Sequence, residues 1–238
     1  MDALAGQVAT RDGRTLAYLE VGDRRGPLVV HNHGGPSSRF EARLLADSAS
    51  KNRLRLVCVD RPGMGQSSPQ KARTYSGWAD DLVTIADALG GSLALHFKPG
   101  FLLMYAALGI TAKHFRETFV KQVRNGVSDY DKEILLRREI GTTFGDSSAE
   151  CFAQGSGGLA RDAELLYRSW AFDVTKIERS VHMWQGLDDR LVPDPINKTV
   201  ADRMPGARWH PVEGAGHFVA VGQGDEIVRI TAEELGAH

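Results

Sequence analysis

The chain alternates between short apolar runs and helical patterns. Gln7–Thr10 and Thr15–Val21 are β-forming runs on either side of Arg11-Asp12-Gly13-Arg14, a pattern that predicts a hairpin around an Asp-Gly turn. Pro27–His33 carries Leu-Val-Val and stops at Gly-Gly-Pro, so it reads as a buried strand ending in a tight loop. Phe40–Ser50 has helical spacing, and Leu54–Asp60 is a second buried strand closed by a Pro-Gly turn. Trp78, Leu82, Val83, Ile85, Ala86 and Leu89 fall on one face of an amphipathic helix that Gly90-Gly91 terminates. Near the carboxyl end the alternation resumes: strand at 181–185, helix at 195–204, strand at 208–212, helix at 225–235. Strands alternating with helices predict an α/β fold, a mostly parallel sheet with helices on both faces.

Residues 98–170 break this pattern. They are helical and strongly charged, with no good strand, and read as a helical cap over the carboxyl edge of the sheet. The expected organisation is therefore core at 1–97, cap at 98–170 and core again at 171–238. No repeat, low-complexity tract or linker divides the chain further.

Composition narrows the function classes. With 238 residues, 42% apolar and 25% charged, the chain can bury one sizeable core. A net charge of −1 favours neither nucleic acid nor an anionic membrane. The apolar run 101–112 is too short to span a bilayer and reads as a buried or pocket-facing helix. Met1–Leu4 lacks the basic and apolar regions of a signal peptide. Cys58 and Cys151 form no disulfide framework, and Cys58 sits in an apolar run. A reduced, cytoplasmic setting is expected.

The chemistry-bearing motifs lie at the two ends. His33-Gly34-Gly35-Pro36 and Asp60-Arg61-Pro62-Gly63-Met64-Gly65-Gln66-Ser67 follow the first two buried strands. Gly186-Leu187-Asp188-Asp189-Arg190-Leu191-Val192-Pro193 and Gly214-Ala215-Gly216-His217-Phe218 follow the last two. In this order the four motifs resemble the α/β-hydrolase fold family, in the branch of proline iminopeptidases, epoxide hydrolases and small esterases. The resemblance covers residues 1–90 and roughly 165–225.

It implies hydrolysis of a small ester, amide or epoxide through a Ser-Asp-His-type site, with no cofactor. The implied oxyanion-hole donor is the Gly35 N–H, a preorganised dipole aimed at developing negative charge. The implied base is His217, and the implied acid is Asp189, with Asp188 as its competitor. Asp60 reads as a turn hydrogen-bonder in an architectural loop. His31 and His33 share a strand face, but no third ligand has metal-site spacing, so no metal is expected.

No serine has glycine both two residues before it and two residues after it, so the Gly-x-Ser-x-Gly elbow is missing. Ser92, in Gly90-Gly91-Ser92-Leu93-Ala94, comes nearest, but the helix ending at Leu89 leaves no room for a strand before it. Ser156, in Gln154-Gly155-Ser156-Gly157-Gly158, has cap-like sequence around it. Ala88-Leu89-Gly90 runs almost straight into Pro99-Gly100 and the cap. The missing block, two strands and a helix with their connections, amounts to roughly 30–45 residues on average element lengths. Residues 92–97 could be the helix after the elbow or a short replacement strand.

Such a loss would expose apolar sheet edges. Either 92–97 fills the gap, or strand 181–185 pairs directly with strand 27–33, or a second copy of the chain covers the edge. The alternative to a hydrolase is an inactive deletion form that at most binds a small apolar ligand.

Overall fold

The computed structural model describes residues 3–70, 72–90, 112–166 and 172–236. Ser92 and the segment 92–97 therefore lie outside the described residues, as does all of the apolar run 101–112 except Ala112.

Strands β1 (Leu4–Ala9) and β2 (Thr15–Gly22) form the expected antiparallel hairpin. Gly13 takes a positive φ of 81° at the turn, a conformation that carries no Cβ penalty in glycine. Arg14 leaves this turn to make a two-pronged contact with Asp81, at 2.9 and 2.6 Å, which ties the hairpin to a helix. Strand β3 (Leu28–His31) runs parallel to β4 (Arg55–Val59), and β4 runs antiparallel to β2, giving the order β1-β2-β4-β3.

The two-residue period decides which side chain faces which layer. Leu16, Tyr18, Val30, Val57 and Val59 pack on one face against Trp78, Leu82 and Ile85 of α2 (Tyr75–Leu89). Leu19, Val21, Leu56 and Cys58 pack on the other face, with Ala42, Ala49, Leu54, Val228 and Ala232. Burial on both faces explains why these strands read as near-continuous apolar runs. Each fully buried large side chain in these layers contributes about 1.5–3 kcal/mol. Helix α2 is bounded as its sequence suggests. Thr74 Oγ1 accepts the Gly77 N–H at its start, and Gly90 ends it in the left-handed region at φ 74°.

A 3-10 segment (Arg39–Leu45) and helix α1 (Ala46–Lys51) occupy the stretch of helical spacing after β3. The helices with described bounds in the charged region are α3 (Arg116–Gly126), α4 (Asp129–Leu136), α5 (Arg138–Cys151) and α6 (Gly157–Leu166). The carboxyl part contains β5 (Val181–Gly186), α7 (Asp194–Arg203), β6 (Ala207–Val212), the short α8 (Val219–Gly222) and α9 (Gly224–Glu234).

β5 and β6 pair in parallel as a separate two-stranded sheet. The direct pairing of strand 181–185 with strand 27–33 does not form: among the described residues no hydrogen-bonded ladder joins β3 to β5. Helix α9 touches both sheets. Its Val228 and Ala232 pack on the first sheet, and its Glu234 reaches His182 of β5 and Arg208 of β6, at 3.0 and 3.2 Å. Among the described residues no helix is long and apolar enough to cross a membrane.

Candidate active site

The carboxyl-end motifs meet across the β5–β6 sheet. Asp189 follows β5 and His217 follows β6, and parallel strands deliver their following loops to the same sheet end. Backbone bonds lace these loops together: the Leu187 N–H donates to the Val212 carbonyl (3.1 Å) and the Asp188 N–H to the Ala215 carbonyl (2.8 Å). Gly186 must be glycine here, because a Cβ would lie 2.3 Å from the Gly216 carbonyl oxygen.

The carboxylate that meets the imidazole belongs to Asp189. Its Oδ2 lies 3.0 Å from His217 Nδ1. Its Oδ1 accepts the N–H groups of Leu191 (2.8 Å) and Val192 (3.0 Å). Burial alone would raise this carboxyl, but the His217 contact and the two backbone donors hold it below the usual carboxylate range. An ionised carboxylate only accepts, so the proton of the neutral imidazole sits on Nδ1 and Nε2 keeps a free lone pair. The Asp189 side chain is 8% exposed and that of His217 is 40% exposed, so the acid is sheltered and the imidazole is reachable.

Sequence reasoning missed a third residue. Asp131 of α4, itself 1% exposed, accepts the backbone N–H of His217 on Oδ2 and of Phe218 on Oδ1, both at 2.9 Å. The signal available was Ser128-x-x-Asp131, a helix-start pattern in which the acid reaches back to the cap. Ser128 does cap α4, accepting the Asp131 N–H at 3.2 Å, yet the Asp131 carboxylate turns to the histidine loop. Phe218 packs edge-on against Phe144, which stacks on Phe119, so aromatic contacts from α5 and α3 seat the same loop.

The amino-end motifs build a second, rigid wall. His33 is 2% exposed, and its Nε2 accepts the Arg61 N–H at 3.2 Å while Nδ1 lies 2.8 Å from the Gly34 carbonyl. A backbone N–H can only donate, so Nδ1 carries the proton and His33 is a neutral architectural group. Burial and the nearby Arg61 charge push its pKa well below the ordinary value. Arg61 also donates to the Gly34 carbonyl (2.6 Å), and the Gly34 N–H donates to Glu41 (2.7 Å). The exposed Gly35 comes next. A Cβ there would lie 3.0 Å from Leu159, so the loop is glycine because the cap approaches it closely. Among the described residues no hydrogen bond joins Gly35 to Asp189 or His217.

Asp60 is wholly buried and plays an architectural part. It accepts the backbone N–H groups of Arg39 (2.6 Å) and Gln66 (3.0 Å) and pairs with the Arg39 guanidinium. Neither cysteine supplies a substitute nucleophile. Burial pushes the Cys58 thiol well up and the Cys151 thiol up to about 12, so neither forms a thiolate near neutrality. Among the described residues no serine, threonine or cysteine bonds to His217, and no group of three or more His, Cys, Asp or Glu could hold a metal ion. A surface groove of about 560 Å³, lined by Phe40, Arg43, Arg116, Asp146 and Glu150 among others, includes none of the candidate site residues.

The chain is similar to known proteins over most of its length. A proline iminopeptidase from Lacticaseibacillus rhamnosus (strain Lc 705) is 24% identical over 276 residues, covering 90% of this chain and 91% of that protein. Because 90% of 238 residues is about 214, that relative carries roughly 60 residues with no counterpart here. The bifunctional esterase/perhydrolase DCH of Acinetobacter calcoaceticus is 32% identical over 94 residues, 38% of this chain and 33% of that protein. Among solved structures, an esterase from Exiguobacterium antarcticum superimposes with a TM-score of 0.73 at 17% identity, covering 98% of this chain and 100% of that one. An alpha/beta hydrolase fold protein from Nakamurella multipartita gives the same TM-score at 18% identity, covering 98% and 99%. The profile of the Alpha/beta hydrolase family matches residues 28–230, and the chain belongs to that family.

Proposed function

We propose that the chain hydrolyses a small ester, amide or epoxide, with Asp189 as the acid, His217 as the base and Gly35 as the oxyanion donor. The observation that carries this reading is the Asp189–His217 pair, with its 3.0 Å contact and a His217 side chain that is 40% exposed. In this scheme Nε2 takes the proton of an attacking hydroxyl as its oxygen bonds to the substrate carbonyl. For an ester or amide, Asp189 stabilises the imidazolium that forms and His217 returns the proton to the leaving group. Water then attacks the acyl group left on the hydroxyl oxygen, giving its proton to Nε2, and His217 returns that proton to the hydroxyl as the acid product leaves. The Gly35 N–H meets the developing oxyanion. Ser92 is the candidate for the attacking hydroxyl. The names of the relatives favour an ester or a short peptide as substrate.

The test is labelling with a fluorophosphonate probe, together with turnover of a p-nitrophenyl ester. The probe should modify Ser92, and His217→Ala should lower kcat by about 10²–10⁴-fold. No labelled residue, with wild-type turnover equal to that of His217→Ala, would sink the reading.

A specific observation favours a second reading, an inactive shell that binds a small apolar ligand. Among the described residues no ladder joins β3 to β5, and roughly 60 residues of the first relative have no counterpart. On this reading the probe labels nothing, and both His217→Ala and Asp189→Asn leave ligand binding unchanged.

A further inference from the structure

We infer that Asp131 is a positioning residue for His217, so that the placement of the base depends on docking of the cap. This inference rests on the reading of His217 as the base. The histidine loop leaves β6 and has two attachments. The sheet holds its first half, through the Asp188 N–H to the Ala215 carbonyl. The cap holds its second half, where the His217 and Phe218 N–H groups both point into the Asp131 carboxylate at 2.9 Å.

The fit around this contact is tight. A Cβ on Gly216 would lie 2.1 Å from Asp131 Oδ2 and 2.2 Å from Ser128 Oγ. One on Gly222 would lie 1.8 Å from the Tyr130 hydroxyl. Glycine therefore stands where the loop meets α4, at Gly216, and at the end of α8, at Gly222. The Asp131 carboxylate is buried, and its oxygens serve the backbone of the base rather than the helix they belong to. Charge-assisted bonds to two consecutive amides set both the path of the backbone and the direction in which the His217 side chain leaves it. The contact at Nδ1 then needs only the carboxylate supplied by β5. The histidine is thus fixed between two layers, and a displacement of α4 would move the imidazole away from Asp189.

The experiment reads the imidazole directly, so it does not depend on turnover. In the wild type the His217 and Phe218 amides should exchange slowly with solvent, and the His217 Nδ1–H should give a resolved downfield NMR resonance, assigned by its loss in His217→Ala. In Asp131→Asn both amides should exchange at least about tenfold faster, as expected when charge-assisted acceptors are removed. The Nδ1–H resonance should broaden or vanish, while the Val57 and Cys58 amides of β4 stay protected. Ser128→Ala removes the helix cap and a hydroxyl packed against Gly216 but keeps the Asp131 carboxylate, and should leave the resonance and both loop amides unchanged.

The inference is overturned if wild-type His217 and Phe218 amides exchange freely, a measurement that needs no variant to fold. It is also overturned if Asp131→Asn leaves the resonance intact, or if Ser128→Ala reproduces the effect. Absence of probe labelling in the wild type would remove the hydrolase reading and leave the NMR outcome to decide this one. If the wild type does turn over, Asp131→Asn should lower kcat while KM holds.

Discussion

Replacing Asp60 by alanine separates architecture from chemistry in the amino-end motif. Asp60 is 0% exposed, and its partner Arg39 has a side chain only 4% exposed. The substitution strands two backbone donors, the buried Arg39 N–H and the part-buried Gln66 N–H, and removes one of the two carboxylates on the Arg39 guanidinium. Breaking a buried pair by removing one partner costs about 3–5 kcal/mol. Glu150 remains on the same guanidinium nitrogen at 2.6 Å, so the charge is not left alone and the lower end, about 3 kcal/mol, applies. That is a large part of the roughly 5–15 kcal/mol that holds a domain together. Urea unfolding followed by circular dichroism should show the midpoint falling with an unchanged slope. Asp60→Asn keeps the shape and should lose stability as well, because its amide group meets donors with a donor. Two results would refute the reasoning: a loss below about 1 kcal/mol in Asp60→Ala, within the range of ordinary surface substitutions, or an Asp60→Asn protein of full stability and no activity. The second would make Asp60 a catalytic acid.

Further expectations concern the second sheet and the core. Gly216→Ala forces a Cβ to within 2.1 Å of Asp131 Oδ2 and should lower the melting temperature markedly; an unchanged melt would contradict the close packing of cap on loop. Gly90→Ala meets nothing within 4 Å and carries only the strain of φ 74°, so about 1 kcal/mol should be lost. The folded-state pKa of Asp189 is depressed, so its stabilisation is present above the unfolded value near 4 and is lost as pH falls through the folded value. In acid titrations wild type should therefore lose more stability below about pH 4 than Asp189→Asn does, and parallel curves would count against the pairing. Cys58 and Cys151 are both buried and free, so a thiol reagent such as Ellman's should react with neither until the chain unfolds.

Much of this fold could be read from local pattern, because both periodicities are local. Leu16, Tyr18, Val57 and Val59 alternate with Leu19, Val21, Leu56 and Cys58, and each set found its own layer. The sequence favoured Asp189 over its neighbour Asp188 from the spacing to Val192-Pro193, but did not show the contacts that separate them. Asp189 is the one whose Oδ1 closes a turn onto Leu191 and Val192, a bonding pattern that depends on how the chain bends before Pro193. Asp131 was out of reach for a different reason. Its partners lie 86 and 87 residues further along the chain, and its own neighbourhood signals only a helix start. No periodicity encodes a contact that arises when one layer settles on another.

The absent elbow was legible as a collision of two elements, Leu89-Gly90 against Pro99-Gly100, but its consequence for the site was not. Neither Asp189 nor His217 is attached to residues 90–99, where the elbow motif would be expected. Both hang from β5 and β6, which pair with each other along their full length from Val181↔Ala207 to Gly186↔Val212. Their loops are laced by their own backbone bonds and clamped from the cap by Asp131. The Asp189–His217 pair, the acid and base of the proposed reading, can therefore keep its 3.0 Å geometry whether or not a nucleophile stands opposite it. The intact dyad reports on the integrity of the second sheet and its cap contact. Competence is a separate property, set by whether a hydroxyl reaches Nε2, and Ser92 is the residue on which that question turns.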